Sequence, residues 1–176
     1  MKKLLIALLF CNVAMSQTHT GFRLNPTEYF TINVFVDPTS SIKENGLDLG
    51  SEIEFVGKGG YIKLGVESFK VLEGGYTDLH AGAGVTFTSG MYEDWRYYAG
   101  VRVACVFRNG GHGVNPGLEG GIDYDVLPNL AVGLRATYDY RAEQEIIFNW
   151  KPETKFSGFV KISYKWYFKK NTPKRF

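Results

Sequence analysis

His80 is the one histidine of the chain with a carboxylate close by in sequence, Asp78, two residues away. Such a pair is a starting point for acyl transfer or lipid deacylation, in which a carboxylate orients an imidazole that activates a serine. No serine stands at a recognisable spacing, and no lipase or protease motif is present. His80 is expected instead to be an interior hydrogen-bonding residue. His112 lies in Asn109-Gly-Gly-His-Gly-Val-Asn-Pro116 without neighbouring ligands, so no metal site is expected there. The glycines of that run lack the Gly-Lys-Ser/Thr ending of a phosphate loop. No catalytic residue, metal or cofactor is expected.

The chemistry with wider coverage is electrostatic. Glu52, Glu54, Lys63, Glu67, His80, Arg102, Glu119, Asp123, Arg135, Asp139, Lys161 and Lys165 fall at alternate positions within amphipathic stretches. Gathered into one interior, they could pair off as a plug, since unpaired buried charge is costly. Rearranging pairs could also form a narrow ion path.

Strands must position these residues. Eight stretches alternate apolar and polar residues: 29–36, 47–56, 61–69, 78–88, 96–107, 117–126, 130–141 and 157–168. In the last, Val160, Ile162, Tyr164, Trp166 and Phe168 share one face, and Lys161, Ser163 and Lys165 the other. The apolar faces hold no charged residue. Glycine sorts with the charges: Gly50, Gly65, Gly82, Gly84, Gly100, Gly121 and Gly133 are on polar faces, while Gly120 is on an apolar one. Small residues among long charged ones suit the tight interior of an eight-stranded barrel better than a solvated surface.

Aromatic residues gather near the segment ends. Phe30, Phe55, Phe87, Tyr97, Tyr124, Trp166 and Phe168 fall toward one rim, and Phe107, Tyr138 and Tyr140 toward the other. Two girdles are expected of a membrane barrel, and a soluble barrel with its apolar face inward has no reason to make them. Segments of roughly ten residues, tilted about 45°, also match the apolar band of about 25 Å. The expected fold is all-β: an eight-stranded antiparallel up-and-down transmembrane β-barrel over 29–168 with a polar, side-chain-filled lumen.

The ends read differently. Lys2, Lys3, the apolar run Leu4–Phe10 and Ala14-Met15-Ser16 form an export signal over 1–16. Without its two lysines, the 18 remaining Lys+Arg balance 18 Asp+Glu. Nucleic acid is therefore not an expected partner. Cys105 is the only cysteine beyond the signal, so no intramolecular disulfide is expected. Residues 17–28 are expected to be a periplasmic lead-in, and 169–176, with Lys169, Lys170, Lys174 and Arg175, a basic periplasmic tail. Short turns at 57–60 and 127–129 mark one side. Longer links at 37–46, 70–77, 108–116 and 142–156 mark the other. The last carries Ile146, Ile147, Phe148 and Trp150, a candidate surface for an extracellular partner or an extension of the neighbouring strands.

The segment from Gly121 to Tyr140 (strand, tight turn, strand) and the final strand Phe159 to Phe168 resemble the small eight-stranded bacterial outer-membrane barrels of the OmpA/OmpX type. That resemblance implies residence in the outer membrane, periplasmic termini, contact with outer-membrane lipid and lipopolysaccharide, and handling by the barrel-insertion machinery. It implies a non-enzymatic role in envelope integrity or surface interaction. A porin-like channel through the charged lumen and a lipid-modifying enzyme are the alternatives.

Overall fold

The structure, a computed structural model, describes residues 23–38, 46, 48–70, 75–89 and 94–168. The expected export signal and basic tail lie outside the described residues, as does the lead-in before Arg23.

The described residues form nine strands, all but the first built by alternation of β-branched and aromatic residues with polar ones. They are β1 (Arg23–Leu24), β2 (Tyr29–Asp37), β3 (Asp48–Val56), β4 (Gly60–Phe69), β5 (Tyr76–Ser89), β6 (Trp95–Arg108), β7 (Gly111–Leu127), β8 (Leu130–Tyr140) and β9 (Thr154–Tyr167). From β2 onward each strand pairs antiparallel with its sequence neighbour, and β9 returns to β2, closing eight strands into a barrel. Among the described residues no helix is long and apolar enough to cross a membrane.

Burial gives the two faces their directions. Leu64 and Leu118 are 68% and 57% exposed, while their neighbours Lys63 and Glu119 are 3% and 5% exposed. The apolar residues point out and the charges point in, the reverse of a water-soluble barrel. Register then sorts the aromatics. At the end carrying β1, the lower end, Phe30 sits opposite Phe55 and Trp166, and Phe87 opposite Tyr97. The Phe55 ring lies 5.8 Å from Phe168. Trp95, not foreseen from the sequence, joins this rim with its ring 4.7 Å from Tyr124. At the upper end Tyr138 faces Phe156, and Phe107 faces Thr77.

The expected long link at 108–116 is corrected. β6 runs to Arg108, β7 begins at Gly111, and only Asn109 and Gly110 separate them. Both have positive φ, 50° and 78°, the conformation that matches hairpin twist and that Asn-Gly adopts readily. The link at 142–156 is also not all loop, nor a simple strand extension. Residues Glu143–Phe148 form a short helix, α1, and β9 starts already at Thr154.

Six residues do not sustain a helix alone. Docking holds α1 in place. The Glu143 N–H donates to Asn115 Oδ1 at 3.1 Å, and the Glu153 N–H donates to Gln144 Oε1 at 3.1 Å. Gly113 makes room for α1, since a Cβ there would lie 2.6 Å from Glu143 Cα. Glu143 and Gln144 are thereby buried over the upper mouth.

The lower end has its own cover. β5 runs past the start of β4, leaving an open edge at its foot, and β1 pairs with Phe87 and Thr88 there. Asn25 is buried and ties this crossing down. Its N–H donates to Thr86 O at 3.1 Å, and its carbonyl accepts from the Gly59 N–H at 2.9 Å.

Lumen-facing and lipid-facing glycines should differ sharply on substitution. A Cβ at Gly121 would strike the Leu134 carbonyl and stand 2.5 Å from the Tyr98 hydroxyl, whereas one at Gly158 meets nothing within 4 Å. Gly121→Val is expected to lower stability by about 1–3 kcal/mol through overpacking, and Gly158→Val to leave it unchanged. Denaturant titration of the refolded barrel checks both.

Candidate functional site

The inward faces of eight strands bring the charged residues into a stack of tiers along the lumen. In the lower tier Arg96, from β6, is the hub. It makes a bidentate pair with Glu54, donating through Nη1 at 3.1 Å and through Nη2 to the other oxygen. Nη1 also reaches Asp123 at 3.2 Å, and Nε donates to Thr86 Oγ1 at 3.0 Å. Lys161 Nζ pairs with Asp123 at 2.9 Å and lies 4.6 Å over the Tyr98 ring. Lys165 pairs with Asp125 at 2.5 Å. Tyr29, Val56, Tyr61 and Tyr98 form an apolar cluster beside these groups.

In the middle tier Arg135 donates to Glu52 at 2.9 Å and to Glu119 at 3.5 Å. Lys63 pairs with Glu119 at 2.7 Å and with Glu52 at 3.1 Å. The Tyr61 hydroxyl donates to Glu119 at 2.8 Å, and the Asn33 amide donates to Glu52 at 3.0 Å and Glu54 at 3.2 Å. The Arg135 guanidinium also lies 4.6 Å from the Phe35 ring centre. In these two tiers five carboxylates (Glu52, Glu54, Glu119, Asp123 and Asp125) meet five cations (Lys63, Arg96, Arg135, Lys161 and Lys165). The set is neutral and densely bonded, the condition under which buried charge is tolerable.

The upper tier is looser. Arg102 donates to Asp78 at 2.9 Å and to Asp139 at 3.5 Å. His80 Nδ1 lies 2.9 Å from Asp78, and its Nε2 lies 3.5 Å from Glu52. The Tyr76 hydroxyl is 2.8 Å from Glu67 and 3.2 Å from Asp48. Here the lumen opens into a cavity of about 40 Å³ beneath Glu143 and Arg141.

All twelve residues singled out from the sequence face the lumen. Asp139, near the upper mouth, is the one not fully buried. Sequence reasoning missed Arg96, the best-connected cation of the lower tier, although it stands in step with Gly100 and Arg102 along β6. It also missed Asn33, Tyr61 and Tyr98, whose polar atoms link the tiers. His80 has carboxylates as its partners, with no serine hydroxyl among them. Among the described residues no group of three His, Cys, Asp or Glu could hold a metal ion. His112 is at the β6–β7 hairpin, its ring 6.2 Å from Phe107.

The closed barrel, its apolar exterior and its charged interior define the class: the small eight-stranded transmembrane β-barrel fold. Solved structures share it. A de novo designed transmembrane β-barrel superposes with a TM-score of 0.54 at 18% identity, covering 82% of this chain and 99% of that one. The outer membrane protein Ail of Yersinia pestis, in a phospholipid bilayer nanodisc, gives 0.50 at 8% identity over 79% of this chain and 99% of that one. Neisserial surface protein A aligns over 85% of this chain and 98% of its own at 14% identity, with a TM-score of 0.45. No family model and no curated protein matches the sequence.

Removing one member of the neutral network strands its partners. Arg135→Ala leaves Glu52 and Glu119 short of a cation in the middle of the lumen, and a loss of about 3–5 kcal/mol is expected. Lys151→Ala, on the exposed surface, should change stability by less than about 0.5 kcal/mol. Equilibrium unfolding in detergent separates the two.

Proposed function

We propose that the protein is a bacterial outer-membrane barrel with a plugged lumen, acting non-enzymatically in envelope integrity or through its outer surface. The observation that carries this reading is the combination of an exposed apolar belt with a sealed charged core. Arg135 and Lys161 are 2% and 0% exposed, whereas a water-filled pore would wet its charges. The girdled exterior suits hydrocarbon flanked by two interfaces. The lower end, where β1 lies, is assigned to the periplasm, and the upper end, with α1, to the exterior.

The surface role draws on the segment around α1. Ile146 and Trp150 are exposed, and Phe148 stacks on Trp150 with ring centres 4.9 Å apart. Exposed apolar side chains on a docked, ordered element are a contact surface for lipopolysaccharide or an extracellular partner. The porin-like reading draws no support from the neutral middle tier. A lipid-modifying role draws none from His80, which is enclosed among carboxylates.

Planar-bilayer recording tests the plug. The purified barrel is expected to give no single-channel steps. Regular steps that change in Arg135→Ala would overturn the plugged reading in favour of a channel. Recovery in the outer-membrane fraction with heat-modifiable gel mobility is expected, and recovery as a soluble periplasmic protein would overturn the location.

A further inference from the structure

The neutrality of the lower tiers stops at the upper cavity. Glu67, Asp78, Asp139 and Glu143 line it against Arg102, Arg141 and Lys155. Asp48 adjoins it, because the Tyr76 hydroxyl stands between Asp48 and Glu67. Among the described residues, five carboxylates therefore meet three cations. A protonated His80 beside Asp78 would still leave the acidic side in excess.

Hydrogen-bond capacity shows the same imbalance. Glu67 Oε2 and Glu143 Oε2 are buried without a protein partner, on side chains over nine-tenths buried, and both residues line the cavity. Asp139 Oδ1 and Asp48 Oδ1 are likewise unpartnered. Against these acceptors, the buried donors of the cavity wall without a partner among the described residues are Arg102 Nε and the hydroxyl of Thr137, the neighbour of Asp139 on β8. The Tyr76 hydroxyl has a single proton for two carboxylates. A site with acceptors left over and negative charge left over is complementary to a cation.

The size of the cavity limits the choice. About 40 Å³ holds a few water-sized particles and excludes bulky organic cations. Since no three such ligands converge on one point among the described residues, a bare divalent ion is a poor fit. We propose that this cavity binds one small monovalent cation together with water, entering from the α1 end. Glu67 and Glu143 supply the unpartnered carboxylate oxygens, and water the remaining ligands. Arg141, which pairs with Glu143 at 2.8 Å and is partly exposed, stands at the entrance.

The test uses the full refolded barrel in detergent at constant ionic strength. Thermal unfolding is compared in sodium, potassium and ammonium chloride and in tetramethylammonium chloride, whose cation is too large to enter. A bound ligand raises the unfolding midpoint as its concentration rises. The midpoint is expected to rise by a few degrees with a small cation relative to tetramethylammonium, and this difference should vanish in Glu143→Gln and Glu67→Gln. Crystals of the wild-type barrel grown in rubidium chloride should show an anomalous peak in the cavity beside Glu67 or Glu143, which keeps the proposal testable if either variant fails to fold. Equal midpoints in all four salts would mean that carboxyl protons alone balance the cavity, and would overturn it. So would a difference that survives in both variants, or a cavity without an anomalous peak.

Discussion

Everything in this molecule answers to one constraint: charges placed inside a tube only eight strands wide have to be neutralised there. Bulk water cannot reach Arg135 or Lys161, so each needs a carboxylate at bonding distance. That need fixes the rest. The pairs Arg96–Glu54, Lys63–Glu119 and Arg135–Glu52 each link strands that are not sequence neighbours, so they form only when the barrel is closed and in register. A slip of one residue would turn every one of these side chains to the apolar exterior. Glycines opposite them, such as Gly82 and Gly121, supply the volume the long side chains occupy.

Most of the fold was legible because both faces of each strand carry information. Apolar residues at alternate positions named the exterior, and glycines between the charges named the interior. What escaped did so for physical reasons. Arg96 is the first residue of its stretch, 96–107, where no preceding alternation marks the face it belongs to. Asn109-Gly110 is a strong hairpin signal, but the flanking glycines and Pro116 gave the whole stretch the composition of a loop. α1 has no periodicity long enough to read, since its stability comes from Asn115 and Gly113 on another strand. β1 is two residues long and has no pattern at all. The charged set was visible as a set, but its pairing was not, because alternation gives the side a residue faces and not its height or its partner.

The tiers divide the lumen into two regimes. Below, equal numbers of opposite charges lock together with Tyr61, Tyr98 and Asn33 into a rigid, neutral stack. Above, pairing is incomplete, and carboxylate oxygens of Glu67, Asp139 and Glu143 lack partners. The change falls where the strands rise toward α1, and Arg141 and Glu143 join the strand residues in the wall. Dense charge pairing is thus concentrated in the lower two tiers, and carboxylate oxygens without partners gather at the upper end.

The crossing at Asn25 has a consequence for how the chain reaches its final state. β1 pairs with the foot of β5, far along the sequence, while β2, which directly follows the crossing, pairs with β3 and with the last strand. The seat for Asn25 is made from Gly59 and Thr86 and does not exist before β4 and β5 have paired. Contacts of such long sequence separation are slow to form because the intervening chain must first be ordered. The segment that leads the barrel in sequence therefore docks only onto β4 and β5 already paired. Its docking works as a latch across the join of those two strands.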